Sequence, residues 1–539
     1  MRKSPRIVLG FSVVLAAALL GCGGEPAERP VEAIGEEERA GGTAVVCTQN
    51  AIESLNTFTS PDLGAADVRL LLFTPLVLYG EGAEYRPYLA SGWDWEDGKR
   101  TLSFRIRDDL TWHDGRPVTA DDVAFTVELA ADPEYAYPSG SDFAGIDEVA
   151  VIDSVTVEIR FGQPQVGGLE KFIWLPILPR HLLGDVPAAE FSHAEYHQAP
   201  IGSGPFRFSQ RRSDGSLLFE RYDPFPGELG DPYLDGLLIR TITEPFVIQA
   251  EMVNGSVDLC VTDAVLSERI GDSDRLSVIT LEPSRTLVLP LNTLRPPLDD
   301  ARVRRALSAG LDRTEIAVAM APAARPARSP LPESSPWFDP ELVQPDADPA
   351  YAGASLDSAG WRLNGGDVRR NAGGEALAFE LLAPQGAEGW LTVAQAHWRE
   401  IGVTLELRFM EWASYVGVLE DPARKPDIMA LSFSPEKIYT PDSELYAEFH
   451  SQGFANLGSY SDPAVDSLIE RLRSSVDPEK RQEIYRRVQR RVAEDVPMIF
   501  TVYVPRLEIV GPRLRDVTAD LNGPFSTVTE WWIPPRLRR

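Results

Sequence analysis

The chain has 539 residues, 43% of them hydrophobic and 25% charged, with a formal net charge of -29. That length allows roughly two to four domains with sizeable cores, and the composition is ordinary for a globular protein. The acidic balance excludes the concentrated basic surface that nucleic-acid binding needs, but it names no ligand, because acidic surfaces mostly serve solubility.

The N-terminus reads first. Arg2, Lys3 and Arg6 precede an apolar run from Ile7 to Leu20. The run is short for a bilayer span and has the make-up of a secretory signal. It ends in Leu19-Leu20-Gly21-Cys22, which resembles a bacterial lipobox. That resemblance implies cleavage before Cys22 and lipid attachment to it, so residues 1–21 are a lipoprotein signal peptide. Residues 22–42 are rich in Gly, Pro and Glu and cannot bury enough surface to fold. They form a tether reaching about 25 Å as a flexible coil. No other segment is long and apolar enough to cross a bilayer.

Beyond the tether, Cys47 sits in "TAVVC" and Cys260 in "VDLCV", two strand-like stretches. One disulfide or two buried thiols both fit an extracytoplasmic chain. Four Cys or His ligands at zinc spacing are absent.

The stretch Phe104–Phe125 then sets a His-Asp pair beside more carboxylates. Leu102, Phe104 and Ile106 alternate onto one face, as a half-buried strand requires. Asp114-Gly115 supplies turn chemistry, and Pro117 fixes the approach. Thr119 is an N-cap for a helix carrying Val123, Phe125 and Val127, with Asp121 and Asp122 complementing its first turn. Each polar residue has a structural task, so the stretch reads as architecture.

"DSVTVEIRF" alternates like a second strand. "DDARVRRALSAGL" reads as a helix with Val303, Ala306, Leu307 and Leu311 on its apolar stripe and Asp299 or Asp300 as cap. A Pro-rich stretch, Ala321 to Pro340, reads as a long surface excursion. "DPEKRQEIYRRVQRRVAED" places Ile484, Val488 and Val492 on a buried stripe, with Pro497 after its end. Its Arg486, Arg487, Arg490 and Arg491 lie among acidic neighbours and read as a solvated face. Mixed strands and helices indicate α/β or α+β domains.

No catalytic constellation emerges. "GSGPF" at Gly202 to Phe206 lacks the spacing of a nucleophile elbow, and there is no phosphate loop or His-Glu-x-x-His. His193 and His197 would share a helical face, but two ligands rarely hold a metal. Neither a cofactor nor a resident metal is expected.

Several blocks together carry a resemblance. The segment from Leu89 to Phe125 includes Trp112, Asp114, Gly115, Pro117, Thr119, Ala120, Asp122 and Val123, in the pattern of family 5 bacterial extracellular solute-binding proteins. "ESLNTF" at Glu53, "IGSGPFRF" at Ile201, "LNTLRPPLDDARVRRALSAGLDRTEI", "LDSAGW", "HWREIGVTLEL" and the block from Tyr460 to Ile499 follow in the family's order. The resemblance implies an α/β, periplasmic-binding-protein-like two-lobe fold of cluster C (class II), with an extra third domain. Residues 43–78, 190–285 and 496–539 would form lobe I, 79–189 the extra domain II, and 286–495 lobe III. The Trp112-His113-Asp114-Gly115 turn would then be scaffold.

The implied function is capture of a solute between closing lobes and delivery to an ABC permease. The ligand would be a dipeptide or oligopeptide, with an oligosaccharide, or a non-transport adaptor role, as alternatives. The protein would be a lipid-anchored, extracytoplasmic monomer with no enzymatic step. Peptide-binding members anchor the ligand's ammonium with an Asp in a Trp-x-x-Asp-Tyr-Pro-Asp-Pro-like segment. Here "ALSFSPEKIYTPDSELYAEF" has Phe433 near the Trp position and no Asp at the anchor, with Ile438-Tyr439 near its place. Glu436 or Asp442 would substitute. Trp412, Phe433 and Tyr439 are expected as cleft aromatics, and Asn292 completes the expected ligand-binding set.

Overall fold

The structure is a computed structural model and describes residues 35–49, 52–60, 63–80, 84–165, 168–262, 275–321, 323–419, 425–433 and 442–539. The signal, Cys22, most of the tether, Glu436 and Tyr439 lie outside the described residues.

The first strands are β1 (Thr43–Thr48), β2 (Val77–Tyr79) and β3 (Tyr85–Pro87), the latter two an antiparallel pair. β4 (Ala90–Glu96), β5 (Thr101–Ile106), β6 (Ile146–Asp153) and β7 (Thr156–Phe161) form an antiparallel sheet in the order β4-β5-β7-β6. β5 alternates as its sequence predicts, with Leu102, Phe104 and Ile106 buried and Arg105 exposed. Helix α1 (Ala120–Ala131) packs on β6 and β7, and Thr119 and Asp122 form a capping box at its start.

Next come β8 (Phe206–Arg211), β9 (Leu217–Arg221), β10 (Gly236–Thr241), α2 (Pro245–Asn254), β11 (Leu259–Thr262) and the long β12 (Ser277–Pro290). α3 (Ala301–Ala309), α4 (Arg313–Met320), β13 (Arg325–Pro326) and α5 (Pro349–Ser358) follow. β14 (Ala378–Pro384), α6 (Glu388–Glu400), β15 (Thr404–Met410), α7 (Trp412–Leu419) and β16 (Ile428–Met429) build a three-stranded parallel sheet, order β15-β14-β16, with its helices. β17 (Leu431–Phe433), α8 (Asp442–Phe449), α9 (Pro463–Ser474), α10 (Pro478–Asp495) and β18 (Met498–Val510) complete the main elements.

The largest sheet runs β17-β12-β18-β11-β1-β10-β9-β8, with β13 also on β18. Its organisation comes from β12 and β18, which pair antiparallel from Ser277↔Val510 to Pro290↔Met498. At one end β18 pairs with β11, and at the other β12 pairs with β17. The register shifts once between Leu281 and Arg285 and again between Leu287 and Val288. One core gathers β1, the four-stranded sheet and α1 around Phe104, Trp112 and Trp531. Two others lie around Trp398 and Leu381, and around Tyr485 and Phe449. A small fourth one sits beneath α2, where Cys47 of β1 faces Cys260 of β11 in parallel register.

Asp300, not Asp299, caps α3, its carboxylate accepting from Arg302 N at 2.8 Å. Val303, Ala306, Leu307 and Leu311 are fully buried. In α10, Ile484, Val488 and Val492 are buried, while Arg486 pairs with Asp339 and Arg491 with Asp462 and Asp495.

The Pro-rich stretch differs from its expectation. It is not a free surface excursion: Ala327 N donates to Thr501 O, β13 pairs with β18, and Trp337 stacks on Tyr485 at 4.6 Å. Proline removes donors, but the remaining amides and one aromatic suffice to dock it on an edge. The His193–His197 segment does not form an α-helix. His197 is buried in a short 3-10 turn, its Nε2 within 2.9 Å of Phe191 O.

Candidate functional site

Two sequence blocks that lie far apart meet in the scaffold. His113 N donates to Gly202 O at 2.8 Å, Gly202 N donates to His113 Nδ1 at 3.1 Å, and His113 Nε2 lies 3.0 Å from Gly204 O. Because Nδ1 accepts, Nε2 carries the proton and donates. Burial pushes the His113 imidazole down to about 4, so it stays neutral. A Cβ on Gly202 would sit 1.8 Å from Leu72 O, and one on Gly204 2.3 Å from Leu71 O. Ser203 Oγ shares a 2.7 Å hydrogen bond with Thr74 Oγ1. Trp112 is fully buried with Nε1 donating to Asp122, and His181 reaches Asp114 at 2.8 Å. The His-Asp neighbours therefore hold the four-stranded sheet's domain against β8 and the segment after β1.

The ligand-facing candidates divide into two groups. In an open parallel sheet, ligands sit beyond the carboxyl ends of the strands. β15 ends at Met410, and Trp412 opens the next helix, 62% exposed. Its ring leans on Tyr415 at 6.0 Å, and Tyr415, itself fully buried, donates to Ala430 O at 2.6 Å. Ala430 follows β16 and leads to Phe433, half-buried opposite Thr286 of β12. Trp412 and Phe433 thus leave the same carboxyl edge, where the two long strands run between the cores.

Asn292 and Asp442 are elsewhere. Asn292 N donates to Asp427 O and its Nδ2 to Pro426 O, at the amino end of β16. This is the opposite edge from Trp412. Asp442 is buried at the start of α8, where Arg481 donates to both carboxylate oxygens at 2.9 and 3.0 Å and Tyr485 OH donates at 2.7 Å. Burial pushes its carboxyl up, against the pull of Arg481. Its hydrogen bonds fasten α8 to α10.

Several titratable groups were not singled out from sequence. Tyr79 OH donates to Glu170, and burial, that carboxylate, and more weakly Glu444 of α8 hold the phenol far above its ordinary value. One turn later, Glu448 is raised to about 8, by burial first and Glu444 second. On β18, Glu508 is 1% exposed, 3.2 Å from Arg506, and raised to about 7, chiefly by burial. These groups lie on β2, α8 and β18, where no local sequence pattern marks them.

A mixed α/β body in which two paired strands join separate cores, with an exposed indole at a parallel sheet's carboxyl edge, is the frame of a solute-binding protein. Residues 84–456 match the family model "Bacterial extracellular solute-binding proteins, family 5 Middle". The chain belongs to that family, whose members bind solutes and are not enzymes. It is 25% identical over 553 residues to the oligopeptide-binding protein AppA of Bacillus subtilis, covering 99% of both chains. It is 23% identical over 462 residues to the nickel-binding periplasmic protein of Escherichia coli, covering 83% of this chain and 86% of the relative. Among solved structures, AppA of Bacillus subtilis in complex with a nonapeptide superposes with a TM-score of 0.79 at 24% identity, over 92% of this chain and 99% of that one. The substrate-binding protein CtaP of Listeria monocytogenes gives 0.81 at 23% identity, over 92% and 100%. The fold is the cluster C periplasmic-binding-protein fold. Among the described residues, no helix is long and apolar enough to cross a membrane.

Proposed function

We propose that this protein is the substrate-binding lipoprotein of an ABC importer and that its ligand is a peptide. Lipid on Cys22 would hold it at the membrane's outer side, and its partner would be the cognate permease. In this reading residues 43–78, 190–285 and 496–539 act as lobe I, 79–189 as the extra domain and 286–495 as lobe III, with β12 and β18 between the lobes.

The observation that carries the reading is the rigid presentation of an exposed indole, Trp412, on the carboxyl edge shared with Phe433. An amphipathic ring there can stack on a ligand while its mounting stays fixed. The relatives named for oligopeptide binding support the peptide assignment. Glu436 and Tyr439, in the segment that follows Phe433, would supply an ammonium partner and a second ring. Asp442 would act indirectly, by fixing α8 and so the end of that segment. Asn292 would act from the opposite edge, by shaping the loop before α3.

The test is a thermal-shift series of the purified protein against di- to nonapeptides, oligosaccharides and nickel. A saturating peptide should raise Tm by mass action, by about 2.7 kcal/mol of apparent stability at one hundred times Kd. Shifts with sugars or nickel alone would refute the peptide assignment. No shift with any class would refute the transport reading. Mass spectrometry of the membrane-extracted protein should find an N-terminus at Cys22 carrying acyl chains; an N-terminal peptide without acyl chains would refute the lipid anchor.

A further inference from the structure

Cys47 and Cys260 are neighbours for a reason that the ligand site does not use. β1 and β11 are parallel, and their register sets Val46 opposite Leu259, Cys47 opposite Cys260 and Thr48 opposite Val261. Hydrogen-bonded strands lie about 4.7–4.9 Å apart. Registered residues therefore fall inside the Cα window of about 4.4–6.8 Å that a disulfide spans. Residues in register also point to the same face. Here both side chains are fully buried in one small cluster with Ile242, Ile248, Met252, Val257 and Ile509, beneath α2. The structure holds both as thiols.

The family to which the chain belongs is extracellular, and thiols brought together outside the cytoplasm encounter oxidants. We propose that Cys47 and Cys260 form a buried cross-strand disulfide in the exported protein, closing lobe I around everything between them, the four-stranded domain included. Each thiol loses its proton and the pair loses two electrons as the Sγ–Sγ bond forms. A disulfide of a thiol–disulfide oxidant takes up both and becomes two thiols. The burial under α2 requires the bond to form before that helix has docked, and afterwards shields it from reductants.

The experiment uses the full chain exported by a bacterial host and purified without reductant. The protein is unfolded in N-ethylmaleimide and weighed, with and without prior reduction. Without reduction Cys47 and Cys260 should remain unlabelled; after reduction both should be labelled, and a peptide pair linking them should disappear. Labelling of both in the unreduced sample overturns the proposal. As a second test, reduced protein is unfolded and refolded with oxidised glutathione. An internal bond lowers the mass by two hydrogens, whereas a glutathione adduct on either cysteine overturns the pairing. In the Cys47→Ser variant, Cys260 should become labelled without reduction. Protection of Cys260 in that variant would show another partner and equally refute it.

Discussion

Gly202 and Gly204 carry more of the architecture than their size suggests. The backbone of Leu71 and Leu72 passes where their Cβ atoms would be, and that carbonyl cannot retreat without releasing the amides of Ser203 and Gly204, which donate to Leu72 O at 2.8 Å each. Gly202→Ala should therefore cost about 3 kcal/mol in urea unfolding; a loss below about 0.5 kcal/mol would contradict the close approach. The neighbouring histidines set a pH response. His113 and His197 are both held near 4 by burial, against 6.5 in the unfolded chain. The unfolded state thus binds more protons between those values, so their contribution is complete above about pH 6.5 and disappears as pH falls toward 4. Each should remove on the order of 1–2 kcal/mol between pH 7 and pH 5. Glu508 opposes them: raised to about 7, it contributes most below its unfolded value and loses that contribution as pH rises through 7. Urea titrations of the wild-type protein and His197→Gln at pH 7 and pH 5 separate the terms. The variant should lose less stability on acidification, and equal losses would exclude His197.

At the scale of elements, α8 shows how one ion pair governs a segment. Asp442 and Arg481 are both buried, and the charged pair is tolerable only because its hydrogen bonds are made. Removing the cation with Arg481→Met should cost about 3 kcal/mol in chemical unfolding and weaken ligand binding through the preceding segment. Unchanged stability would mean that the pair is dispensable. Trp412→Ala is the contrasting case. An indole 62% exposed contributes little to the core, so Tm should hold while peptide affinity falls about tenfold or more. Intact affinity by calorimetry would remove Trp412 from the site.

These elements also mark what sequence could and could not reveal. The strand at Leu102–Ile106, the cap at Thr119 and the stripes of α3 and α10 depend on neighbours a few positions away, and their periodicity showed them. Trp412 was chosen for its aromatic ring and Phe433 for its place in the family's segment, whereas the edge they share depends on the parallel pairing of β14 with β15 and β16. The partnership of Asp442 was not legible, because Arg481 lies two helices later and an arginine among several on α10 carries no label. Asn292 shares its block with residues that pack α3, and only the direction of β16 reveals which edge it occupies. The Pro-rich stretch failed for a related reason: its composition speaks against regular structure, but not against docking on β18.

For the whole molecule, the proposed capture cycle predicts that a saturating peptide reduces the radius of gyration measured by small-angle scattering, as the lobes close. No change at saturation would mean that binding occurs without closure. In that cycle β12 and β18 would constrain the manner of closure. They cross between the cores already hydrogen-bonded to each other, with the first break in their register between Leu281 and Arg285. Lobes joined by loops could swing freely, but lobes joined by a paired ribbon must twist it. In that cycle the ribbon would act as a torsion spring, its resting twist setting the angle at which the empty lobes stand open. A stiffer ribbon would raise the work of closing, and the ligand's contacts would have to exceed it. Affinity in such a molecule would be written in two places: in the side chains that touch the solute, and in the compliance of the paired strands that join the lobes.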